Sequence, residues 1–102
     1  MIIVLVEVGI EPGNAEKVRD AVTKMEQATR KEAGCVGYAF SVDIADPGMV
    51  RVTERWRSME DIGLHMKAPH MADFQAAVVQ LQPKSLSIKA YEVAREVELP
   101  RG

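Results

Sequence analysis

Glu54 and Trp56, two residues apart, and His65 and His70, five apart, hold most of this chain's chemical options. In an extended strand side chains repeat every two residues, so Glu54 and Trp56 would share a face with Val50 and Val52. A carboxylate on an apolar face must find a donor or stay protonated, because an unpaired charge there is costly. It therefore serves either a structural hydrogen bond or a reaction. Trp56 is the one tryptophan, and a buried indole N–H seeks an acceptor; the residue fits a core plug or a ligand-lining wall. His65 lies three positions after Ile62 on a short helical stretch and should turn toward a sheet. There it would be a base near neutral pH or a satisfied core histidine. His70 follows Pro69 at a helix entrance, where capping competes with a ligand-facing role.

A metal reading would combine His65, His70 and Glu54, but the five-residue histidine spacing is broken by proline and matches no zinc motif, so no metal is expected. Cys35 follows Gly34 with no histidine nearby in sequence to activate it, and packing is the better assignment. The chain has no glycine-rich phosphate loop, no dinucleotide fingerprint and no paired-cysteine motif, so no cofactor is expected.

The elements that must position these residues follow from periodicity. Ile2 to Val8 is a β-branched run suited to a central strand. Glu11-Pro12-Gly13 turns the chain, and Asn14 should cap a long helix whose stripe is Ala15, Val18, Ala21, Val22, Met25 and Ala28, with Gly34 as its stop. Val36, Tyr38, Phe40 and Val42 alternate, an Asp-Pro-Gly turn follows, and Val50 and Val52 alternate again, which makes a hairpin. Ser58 and Asp61 resemble a capping box for a short helix that Pro69 should end. Met71, Phe74, Val78 and Leu81 then mark a second helical piece. A last strand is expected from about Leu86 to Val97, with a phase change near Ala90 suggesting a bulge. Strand, helix, strand, strand, helix, strand is the ferredoxin-like βαββαβ order, an α+β fold with an antiparallel sheet.

At 102 residues, 47% hydrophobic and 27% charged, the chain fits one globular domain. Thirteen basic against fifteen acidic residues form no basic stripe, so neither nucleic acid nor a membrane surface is an expected partner. The apolar run Ile2 to Val6 is too short for a span or signal peptide, and the single cysteine suits a reducing compartment, which points to the cytoplasm. The helices can cover only one sheet face, yet the strands are apolar at too many positions for the other to meet water, so a homodimer is expected.

With those residues in place, the chain resembles the antibiotic biosynthesis monooxygenase family of the dimeric α+β barrel group. The resemblance rests on Pro12-Gly13, on Glu32-Ala33-Gly34-Cys35-Val36-Gly37-Tyr38, on Glu54-Arg55-Trp56, and on His65 with Ala68-Pro69-His70. It implies two sheets meeting as a barrel across a dimer and a small-molecule pocket between sheet and helices. On the oxygenase branch it implies reaction with dioxygen without metal or flavin. His65 would then be the base, Trp56 and Tyr38 donors, Phe40, Met71 and Phe74 walls, and Glu54 and His70 further substrate contacts. The haem-degrading branch uses a first-strand asparagine, where this chain has Val6, Glu7 and Val8, so haem degradation is not expected. Two other readings stay open: an isomerase or stress-response enzyme for a small polar metabolite, whose pocket would need inward charge from Glu54, Arg55 and Lys67, and a non-catalytic binding module.

Overall fold

A computed structural model describes residues 1–101. Four antiparallel strands, β1 (Ile2–Gly9), β2 (Cys35–Val42), β3 (Met49–Trp56) and β4 (Ser85–Glu92), form one sheet in the order β2-β3-β1-β4. Between them lie α1 (Arg19–Arg30), α2 (Met59–Met66) and α3 (Pro69–Val78), with short 3-10 turns at Asn14–Val18 and Val79–Leu81. This is the ferredoxin-like α+β arrangement read from the sequence.

Cross-strand partners share a face, so the register organises the sheet into rows that look toward the helices. Val8–Val50–Val42–Leu86 and Val6–Val52–Phe40–Ile88 are apolar rows. Next comes Val4–Glu54–Tyr38–Ala90, and then Ile2–Trp56–Cys35–Glu92. Against these rows pack Met25 of α1, Ile62 of α2 and Met71 and Phe74 of α3 in one cluster, and Val18, Val22, Val78 and Leu81 in a second. Val6 and Phe40 touch both clusters. The helices stop short of β4: Leu86 and Ile88 point to the helical side and are each 63% exposed.

Three expectations need correction. Asn14 does not cap a long helix. The chain makes a 3-10 turn first, Gly13 takes the left-handed conformation before it (φ 97°), and the buried Asn14 amide donates to the Leu81 carbonyl at 3.1 Å. Gly34 is not a left-handed helix stop, for among the described glycines only Gly13 has positive φ; α1 already ends at Arg30. Gly34 is small because a Cβ there would overlap the Asp61 side chain. As expected, the short helix ends before Pro69: α2 stops at Met66, Ala68 is extended, and Pro69 opens α3, where its missing N–H costs nothing in a first turn. Finally, β4 stops at Glu92 and pairs with β1 without a register shift. Glu92 sits opposite Ile2, the first residue of β1, and the Val93 N–H reaches the Met1 carbonyl. The irregularity lies instead in β2, between Cys35 and Gly37. It leaves Val36 exposed and lets Cys35 and Tyr38, three apart, both face inward.

Candidate active site

Residues from three turns and strands meet at the Trp56 end of the sheet. The Ser58 capping box forms as expected: the Ser58 hydroxyl accepts from the Asp61 backbone N–H and donates to the Asp61 carboxylate. That cap starts α2 immediately after β3 and turns His65, 2% exposed, down onto the sheet. Its ring lies 4.7 Å from the Trp56 ring and 5.9 Å from that of Tyr38, centroid to centroid. Trp56 is wholly buried, and its indole N–H donates to Glu54 Oε1 at 2.9 Å. The donor expected to face a ligand is thus committed to its strand neighbour, and any effect of Trp56 on a substrate passes through Glu54.

His65 closes the last turn of α2 and His70 lies in the first turn of α3, so their five-residue spacing spans a helix–helix corner and not one helix face. Both converge on Glu32, a residue to which the sequence alone assigns no role. His65 Nδ1 lies 2.7 Å and His70 Nε2 2.8 Å from the same carboxylate oxygen. The metal set weighed from sequence named Glu54 as third member; the carboxylate that joins the histidines is Glu32, while Glu54 turns to Trp56. Glu32 sits within the stretch Glu32 to Tyr38 that carries the family resemblance, and that was the available signal.

The electrostatics set Glu54 apart. Burial pushes its carboxyl above the ordinary 4.5, against the opposing pull of the Trp56 hydrogen bond. Burial, reinforced by the Glu54 charge, raises the Tyr38 phenol as well, so it stays protonated. Desolvation also raises the Cys35 thiol, the opposite of what a nucleophile needs.

One row further along the sheet lies a cavity of about 510 Å³, lined by Val6, Val8, Phe40, Val52, Phe74, Val78 and Leu81, with Pro83 to Leu86 at its β4 side. That volume is ample for one or two aromatic rings. Phe40 and Phe74 meet edge to face across it, with centroids 6.1 Å apart. Of the expected walls these two line the cavity, whereas Met71 is buried in the core cluster beside Trp56. Two residues of strand, about 6.7 Å, separate Val52 from Glu54. Arg55 and Lys67 are exposed, so of the three charges that a polar-metabolite site would need only Glu54 faces inward.

Residues 1–77 match the family model described as antibiotic biosynthesis monooxygenase. The chain belongs to that family. It is 32% identical over 88 residues to the Escherichia coli (strain K12) protein named probable quinol monooxygenase YgiN, covering 76% of this chain and 85% of that one. A crystal structure from Deinococcus radiodurans superimposes with a TM-score of 0.85 at 28% identity, over 99% of this chain and 100% of the other. Rv0793 from Mycobacterium tuberculosis shares the fold at 23% identity, with a TM-score of 0.80 over 95% and 98% of the two chains. No helix among the described residues is long and apolar enough to cross a membrane.

Proposed function

We propose that the protein is an oxygenase that oxidises a small hydroxylated aromatic of the quinol type with dioxygen, drawing every electron from the substrate. The observation that carries this reading is the placement, on one sheet face, of an apolar cavity of ring size directly before a half-buried carboxyl whose ionisation burial disfavours. Family membership and the name of the Escherichia coli relative support it.

The chemistry asks little of the protein beyond this. Ground-state dioxygen is a triplet and reacts slowly with closed-shell molecules, whereas a phenolate gives up an electron readily. The site must therefore remove a proton, hold the anion and keep water out. With the ring in the cavity against Phe40 and Phe74, a hydroxyl directed along the sheet meets Glu54. This carboxylate takes the proton, and a bridging water carries it on to His65, which is not in direct hydrogen-bond contact with Glu54. Trp56 holds Glu54 in place, and Tyr38 and His70 complete the surroundings. In the balanced reaction a hydroquinone and dioxygen give a hydroxyquinone and water: one oxygen atom enters the ring and the other leaves with the two hydrogens lost. A metal or flavin has no part in this scheme, and a cytoplasmic setting goes with it.

The protein acts as a homodimer in this proposal. On the sheet face away from the helices Leu5 and Tyr91 are 43% and 50% exposed, and beyond β4 Val97 and Leu99 stand out at 60% and 81%. A second copy is the natural cover for them.

The test is oxygen uptake by metal-stripped protein against a panel of hydroquinones and polycyclic phenols, with boiled protein as control. Uptake should survive chelation and fall roughly 100-fold or more in Glu54→Gln and in His65→Ala, the scale of a lost general base. Full turnover in both variants on a confirmed substrate, or silence across the panel, would defeat the reading.

A further inference from the structure

Glu32 is an inward carboxylate without a part in the proposed reaction, and its position is unusual: a single oxygen, Oε2, serves both histidines of the chain, which has only two. Its side chain is 19% exposed, against 3% for His65 and 23% for His70. A carboxylate oxygen can only accept, so the ring nitrogens facing it carry hydrogens. For His65 this fixes the hydrogen on Nδ1 and leaves Nε2 as the lone pair. A histidine packed against Trp56 and Tyr38, with 2% of its surface exposed, has little water to average its two tautomers.

We propose that Glu32 is a positioning residue for the oxygenase site: it holds His65 as the Nδ1–H tautomer, so that Nε2 is free to receive a proton, and it stabilises the imidazolium that results. The inference rests on the reaction proposed above. The proton leaves the substrate hydroxyl for Glu54 and passes through a bridging water to His65 Nε2, because the carboxylate within direct reach of His65 is Glu32 and not Glu54. His65 then carries hydrogens on both nitrogens, and the negative charge of Glu32 at 2.7 Å offsets the new positive charge. No bond to Glu32 forms or breaks. The logic is that of any acceptor that orients a histidine base from behind. His70 supplies the second hydrogen bond to Oε2 and so pins the carboxylate from the α3 side.

The same three groups also invite a metal reading, because their ligand atoms lie within 4.8 Å of one another. The distances argue against it. Ligands around one tetrahedral zinc at about 2.0–2.1 Å stand about 3.3 Å apart. Here both nitrogen–oxygen separations are 2.7–2.8 Å, the length of charge-assisted hydrogen bonds.

Long-range proton–nitrogen correlation spectra of uniformly ¹⁵N-labelled, tag-free protein test the proposal without any substrate. Only two imidazoles contribute, and His70→Gln assigns them. The expected result is a neutral His65 with hydrogen on Nδ1 in the native protein. Glu32→Met, which removes the acceptor and keeps a side chain of similar length, should shift His65 toward the Nε2–H form. The same change should lower kcat roughly 100-fold with KM nearly unchanged. A native His65 protonated on Nε2 would overturn the proposal even if the variant did not fold. One equivalent of Zn²⁺ that bound with micromolar affinity and shifted both histidines would overturn it too, in favour of a metal site. Silence in the oxygen assay alongside the expected tautomer would instead defeat the oxygenase reading and leave the positioning standing.

Discussion

The hydrogen bond from Trp56 to Glu54 makes the sharpest quantitative demand on this structure. It is a neutral donor meeting a carboxylate that burial has already made reluctant to ionise. Hydrogen bonds to charged groups contribute about 1.5–3 kcal/mol and those between neutral groups about 0.5–1.5 kcal/mol. Glu54 is only half-buried, so the lower end of each range applies. Trp56→Phe should then cost about 1 kcal/mol more when residue 54 is an ionised glutamate than when it is glutamine, which accepts the same N–H without charge. The void left by the smaller ring is common to both backgrounds and cancels in a double-mutant cycle.

The measurement is urea unfolding of the native protein, Glu54→Gln, Trp56→Phe and the double variant, at one fixed protein concentration because a dimer's stability depends on it. At pH 8 the coupling should be about 1 kcal/mol. At pH 4, below the raised pKa of Glu54, the carboxyl is protonated and resembles glutamine, so the coupling should fall toward zero. Linkage adds a second sign. A carboxyl whose folded pKa lies above its unfolded value stabilises the fold most below the unfolded value, near 4.5, and loses that contribution as pH rises through the folded one. Glu54→Gln should therefore gain stability relative to the native protein as pH rises from 4 to 8. A cycle additive within about 0.3–0.5 kcal/mol at pH 8 would refute both the bond and the ionised state assigned to Glu54.

Val78→Phe should fill part of the cavity from the α3 side, with binding of a redox-inert quinol methyl ether falling at least tenfold in calorimetry while the melting temperature shifts by only a few degrees. Leu5→Lys, placed opposite Thr53 and Lys89 on the uncovered face, should convert a dimer to a monomer in sedimentation at micromolar protein; a native protein that is already monomeric there would remove the basis of the homodimer. Gly34→Ala should cost about 1–3 kcal/mol in chemical unfolding, because the added methyl must displace Asp61 and with it the Ser58 cap of α2.

The order of elements was legible because each was written in a strong local signal. The β-branched run of β1, the alternation of Tyr38, Phe40, Val50 and Val52, and the Ser58 capping box all act within a few residues. The errors fell where distant partners decide. Asn14 looks like a cap in sequence, but Leu81, 67 residues away, claims its amide. The end of β4 is set by where β1 begins, and the alternation of β4 itself cannot reveal that. Glu32 stayed without a role for the same reason: its partners lie 33 and 38 residues on, across two helices. The candidate site was legible in its residue types and in the face shared by Glu54 and Trp56, and hidden in its pairings.

The rows of the sheet give a physical reason for separating recognition from chemistry. Each row is about 6.7 Å from the next along the strands, a gap that only a long polar side chain bridges, as Trp56 does to Glu54. Valine and phenylalanine rows bound the cavity, so its size and shape can change by volume alone, with no polar group left unpaired. The Glu54–Tyr38 row and the Trp56 row behind it behave differently. Trp56 and His65 are buried and Glu54 is half-buried; Trp56 is committed to Glu54 and His65 to Glu32, and removing one member of a pair leaves the other unsatisfied in low dielectric. Substitutions in the first two rows should therefore alter which ring is accepted, and substitutions in the last two should abolish turnover or the fold.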